Sequence, residues 1–123
     1  MSGKAMDAEQ VTAIDENMEE VKPAGRVIKL SRPVNWEDKE YNVLTLDFDG
    51  LSGDDMIAIE SEFMSFIKGM KGILVAFKTD HPAYLTVVAA KAAGVDPFML
   101  KKLSARDFLK VTGVAKDFLN GYA

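Results

Sequence analysis

Two periods, one of two residues and one of three to four, divide most of the chain into segments with a buried and an exposed side. In residues 26–31, Ile28 and Leu30 fall on one face, which predicts a short strand. In residues 41–48, Leu44, Leu46 and Phe48 alternate with Val43, Thr45 and Asp47, the pattern of a strand covered on one side. The polar connection from Arg32-Pro33 to Lys39 is longer than a two-residue turn, so the pair is expected to form a β-hairpin with a longer loop and a bulge. Trp36 sits in that loop. It could offer a contact there, but tryptophan's preference for burial predicts that it folds back over the sheet.

Helical spacing takes over after Asp49-Gly50, a turn dipeptide. Ser52, three residues before Asp55, predicts a capping box, with Asp54 and Asp55 at the positive end of the helix dipole. Met56, Ile59, Phe63, Phe66 and Ile67 form the stripe behind it. Gly69 and Gly72 interrupt the pattern without the spacing of a phosphate loop. Residues 73–77 are an apolar run that periodicity leaves open as buried strand or covered loop. Asp80-His81-Pro82 opens a helix over residues 82–93 that is apolar nearly all round, with only Thr86 and Lys91 interrupting, so it is expected to be central. Gly94 ends it, and Asp96 caps a short helix reaching Leu103. Ser104 with Asp107 predicts a second capping box, opening a last helix with Phe108, Val111, Ala115 and Phe118 on one face and Leu109 and Leu119 to the side. The implied fold is α+β, an N-terminal β-hairpin packed on a small bundle of about four helices.

Residues 1–24 differ from the rest. Val11, Ile14 and Met18 make a faint stripe among Asp15, Glu16, Glu19 and Glu20, too little apolar surface to offset the entropy of ordering. They are expected to be a disordered acidic tail, with a partner-docking helix over residues 9–21 as the alternative. Residues 25–123 are expected to be a single domain. With 123 residues and a formal charge of −4, the chain lacks the basic excess of a nucleic-acid surface. It has no cysteine, hence no disulfide and no thiol chemistry, which suits a reducing compartment. The opening MSGKAMDAEQ has no apolar run behind a basic start, and no stretch approaches the roughly 20 apolar residues of a membrane span, so neither a signal peptide nor a membrane is expected.

Candidate chemistry is sparse. Asp47, Asp49, Asp54 and Asp55 cluster, but a calcium loop starting at Asp47 would need an oxygen ligand where Leu51 stands and glycine where Ser52 stands. Turn and capping roles suffice for all four. His81, the only histidine, precedes a helix proline and is expected to cap or to lie at the surface rather than to act in catalysis. Glu60 and Glu62, two apart on a helix, do not share a face as an acid–base pair would. No serine stands in a nucleophile elbow. The expectation is a protein without catalysis, cofactor or metal that works through its surface. Met64, Met70 and Met99 suit adaptable contacts or core gaps. The candidate partner-binding residues are Ile57, Met64, Leu109, Leu119 and Tyr122.

Several features share an order with a known family. A hairpin ends in Leu44-x-Leu46, and Gly53-Asp54 stand at a helix start. Tyr-Leu-x-x-Val-Ala-Ala-Lys-Ala-x-Gly-Val runs from Tyr84 to Val95, followed by Leu100-x-x-Leu103 and Asp107-Phe108-Leu109. Over residues 26–120 this resembles the tail assembly chaperones of long-tailed bacteriophages and Mu-like prophages. The acidic tail and residues 73–77 fall outside the pattern. The resemblance implies a non-enzymatic protein of the bacterial host cytoplasm. It would coat the tape-measure protein before tail-tube subunits polymerise and be absent from the finished particle; covering a long client calls for apolar strips repeated by self-association, so a homo-oligomer is a further expectation. A small structural tail component retained in the particle is the alternative. The family has no catalytic residues to carry over.

Overall fold

The computed structural model describes residues 20–22, 25–70 and 78–121. Three antiparallel strands, β1 (Glu20–Lys22), β2 (Gly25–Trp36) and β3 (Lys39–Leu46), form a sheet with β2 in the middle. Four helices follow: α1 (Gly53–Phe66), α2 (Pro82–Ala93), α3 (Pro97–Leu100) and α4 (Ala105–Leu119), with a single 3₁₀ turn at Lys78–Asp80 before α2. This is the α+β arrangement of hairpin and helices expected from the periodicity. Strand β1 places three residues of the segment read as a tail in the sheet, pairing Glu20 with Val27 and Lys22 with Gly25. The rest of that segment, residues 73–77 and Tyr122 lie outside the described residues.

Period-two burial sets the sheet's inner face. Ile28, Leu30, Val34, Leu44, Leu46 and Phe48 are buried, while Lys29, Val43 and Thr45 are exposed. The hairpin differs from expectation in its loop. Strand β2 continues through Arg32-Pro33 to Trp36, and the connection is a two-residue turn, Glu37-Asp38, with φ of 50° and 65°. Positive φ at both central positions defines a type I′ turn, whose twist matches the flanking strands. The bulge lies within β2 instead. Lys29 pairs with Val43 and Val34 with Tyr41, so residues 30–33 stand against Asn42 alone. Pro33, with no amide to donate, fits such an interruption. Trp36 is half-buried and packs on the core, folded back as expected.

Gly25 begins β2 with φ of 139°, and a Cβ there would lie 2.5 Å from the Leu46 carbonyl oxygen. The close backbone approach requires glycine. The far end of β3 is held by the Asp47 amide, which donates to the Ala92 carbonyl at 2.9 Å. This bond joins the sheet to the C-terminal end of α2.

Helix α2 is the centre of the molecule. Residues 83–90 and Ala92 are all buried, and α1, α3, α4 and β3 pack around it. Val87 and Val88 are fully enclosed, each contributing about 1.5–3 kcal/mol by burial. Its buried threonine, Thr86, is satisfied within the helix by donating to the Pro82 carbonyl at 2.7 Å. His81 caps the start, its Nδ1 accepting from the Ala83 amide at 3.0 Å, and Gly94 closes the end in the left-handed region. Asp96 caps α3, which places Met99 and Leu100 in the core.

Candidate interaction surface

Helix α1 starts as its sequence predicts. Ser52 Oγ accepts from the Asp55 amide at 3.1 Å, and the Asp55 carboxylate accepts from the Ser52 amide at 2.9 Å. The Ser52 amide foremost, and the Ser52 hydroxyl donating to the same carboxylate at 3.1 Å, hold the Asp55 carboxyl below its ordinary value. Asp47 closes the preceding turn by accepting from the Gly50 amide at 3.0 Å. Two members of the acidic cluster thus have structural roles. Among the described residues, no group of three or more His, Asp or Glu side chains is placed to hold a metal ion.

The capping start fixes which side of α1 turns inward. Ile59, Phe63 and Phe66 are buried against α2, with Phe63 edge-on to the Tyr84 ring at 5.3 Å. The two glutamates of α1 go to different partners on α2. The Tyr84 hydroxyl donates to Glu60 at 2.9 Å, and Lys91 pairs with Glu62 at 2.7 Å. Burial, the bond to Glu60 and its charge push the Tyr84 hydroxyl up to about 12, so it remains a donor at neutral pH. Neither glutamate has the geometry of an acid–base pair.

The outer side of α1 carries Ile57 and Met64, 72% and 64% exposed. Seven residues apart, they lie on one line, on the far side of the helix from Ile59 and Phe63. Leu109, 69% exposed, occupies a separate place on the outer side of α4, opposite Val111 and Ala115. Leu119 is half-buried against the core. The structure therefore brings Ile57 and Met64 together, sets Leu109 on another helix, and gives Leu119 mainly a packing role. Met99 is fully buried and Met70 packs partly on the core, leaving Met64 as the exposed methionine of the three.

Two features have no counterpart in the sequence reading. Phe98, 43% exposed, leans on the Phe66 ring at 4.9 Å, with Lys101 Nζ 5.4 Å from the Phe98 ring centre. Nothing in the helical spacing of a four-residue element marks that contact. The second is at α4. Ser104 Oγ accepts from the Asp107 amide at 3.2 Å, but the Asp107 side chain does not complete the expected box. Its carboxylate accepts instead from the Ser31 amide at 2.9 and 3.0 Å, the Ser31 hydroxyl at 3.0 Å and the Arg32 amide at 3.4 Å. Asp107 is fully buried and satisfies amides that the β2 bulge takes out of the ladder. Burial alone would push its carboxyl up, but the Ser31, Ser104 and Arg32 donors outweigh it and hold the group below its ordinary value.

No helix among the described residues is long and apolar enough to cross a membrane. The chain matches no family model, no curated protein and no solved structure.

Proposed function

We propose that this protein is a tail assembly chaperone of a phage or prophage, holding its tape-measure protein in solution until tail-tube subunits assemble. The observation that carries the reading is the placement of large apolar side chains on outward helix faces. Ile57, Met64 and Leu109 stand more than half exposed on helices whose opposite sides are fully used by the core. Such residues cost solubility and add nothing to the fold, so they fit contacts with other chains, Leu109 with an amphipathic helical client. Arg106, one turn before Leu109 on α4, is also exposed, which suits a client helix with acidic flanks. The resemblance of the motif order to the chaperone family is the ground for naming the tape-measure protein as the client.

Co-expression with the tape-measure protein from the same genome, followed by pull-down and sizing, tests the proposal. A soluble stoichiometric complex is expected where the tape measure alone aggregates, weakened by Leu109→Gln without unfolding. A tape measure equally soluble with and without this chain would overturn it. Recovery of the chain in purified particles would point to a retained tail component instead.

A further inference from the structure

We infer that a second copy of this chain docks on the outer face of α1, antiparallel to it across a twofold axis beside Ser61. Asp54, Ile57, Ser61, Met64 and Lys68 are spaced by three and four residues in alternation, the spacing of a seam between two paired helices. All five are exposed. Lys68 lies two residues past the helix in a tighter turn, its amide donating to the Ser65 carbonyl at 3.2 Å, so the chain keeps its right-handed sense and the long side chain starts from the same end of the stripe.

The stripe is complementary to itself in reverse. An antiparallel copy puts Ile57 beside the partner's Met64, twice over by symmetry. The small Ser61 at the centre lets the backbones approach. At each end Asp54 meets the partner's Lys68, and neither residue has an ion-pair partner among the described residues. Antiparallel helix dipoles add to the fit. The like charge nearest the axis is Glu60, and its carboxylate is drawn back onto α2 by the Tyr84 hydroxyl. A parallel pairing would instead bring Asp54 against the partner's Asp54 and Lys68 against the partner's Lys68.

The size of the surface sets the strength. A 14-residue helix is about 21 Å long, and one such pair buries less than the roughly 1,200 Å² of standard interfaces. The association is therefore weak and reversible. It deepens the chaperone reading by assigning α1 to self-association and leaving Leu109 on α4 for the client, so that linked copies could line a long helical partner. Its geometry does not depend on that reading.

Sedimentation of the full chain alone, over a wide concentration range, is the test. The wild type is expected to show a monomer–dimer equilibrium. Met64→Gln and Asp54→Lys should each weaken it by about tenfold, or ~1.4 kcal/mol. The exchange Asp54→Lys with Lys68→Asp should restore it. Because the chain has no cysteine, Ser61→Cys should oxidise to a linked dimer, whereas Thr45→Cys on the sheet should not. Circular dichroism checks that each variant is folded. A wild type that stays monomeric at millimolar concentration, a dimer indifferent to Met64→Gln, or an exchange that fails to restore association would each overturn the inference. Client pull-down is read separately: a monomer that still solubilises the tape measure removes only this inference, and a dimer that does not solubilise it removes only the chaperone reading.

Discussion

Helices α1 and α4 open with the same four-residue signal, serine followed three positions later by aspartate, and the two aspartates end in different places. Asp55 turns back to the Ser52 amide and completes a local box at the surface. Asp107 leaves Ser104 with half a box and reaches across to the bulge of β2, where it is fully buried. What differs is the neighbourhood. Among the described residues only Ser52 bonds to the Asp55 carboxylate, whereas β2 presents the Ser31 and Arg32 amides to Asp107. A cap is a local device until a stronger set of donors comes within reach. Then the same carboxylate becomes a tertiary tie.

The contrast can be broken most sharply at Asp107. Asp107→Ala removes an acceptor shared by three donors and should cost about 2–3 kcal/mol in urea unfolding. Asp107→Asn should lose about half as much, since its carbonyl still accepts while its amide faces donors. The same pair separates in pH. A carboxyl held low in the fold adds stability that is fully present above the ordinary carboxylate value of 3.8 and is lost as pH falls through its lower folded value. Urea midpoints of wild type and Asp107→Asn should therefore differ at neutral pH and draw together as pH falls below 3.8 and through the lower folded value. Asp55 is shifted in the same direction, so part of the acid sensitivity should survive in Asp107→Asn. Ser52→Ala and Ser104→Ala should each cost about 1 kcal/mol, because the serine's role is alike at both helices. The finest test is lengthening. Asp55→Glu restores the usual reach of a capping box and should raise the melting temperature slightly, while Asp107→Glu should lower it, because the longer arm displaces the bond to Ser31.

The elements were legible where a short-range rule acts alone. Alternation marked the buried faces of β2 and β3, and the caps at Ser52, His81 and Asp96 stood as their residue types indicate. The central place of α2 followed from its lack of a polar side. The hairpin turn was not legible, because Glu37-Asp38 carries no glycine or asparagine to announce positive φ. The length of β2 was hidden by Arg32-Pro33, which reads as a connection but forms a bulge. On the candidate surface, Ile57, Met64 and Leu109 were visible as apolar residues off the core stripe. Leu119, equally off the stripe, is partly taken up by the core, which no spacing rule reveals. The Asp107 tie was out of reach for a simpler reason: its partners lie 76 positions away.

That separation bears on how the chain reaches its fold. The hairpin closes over two residues and can zip within microseconds, whereas the tie between Asp107 and Ser31 waits on the docking of α4 against β2, elements far apart in sequence. A bond of such long closure is expected to form after the rate-limiting barrier, and a folding–unfolding chevron of Asp107→Asn against wild type checks this through an effect confined to the unfolding arm. Asp107 is in that sense a latch, and its loss should shorten the lifetime of the native state while leaving the refolding rate nearly unchanged.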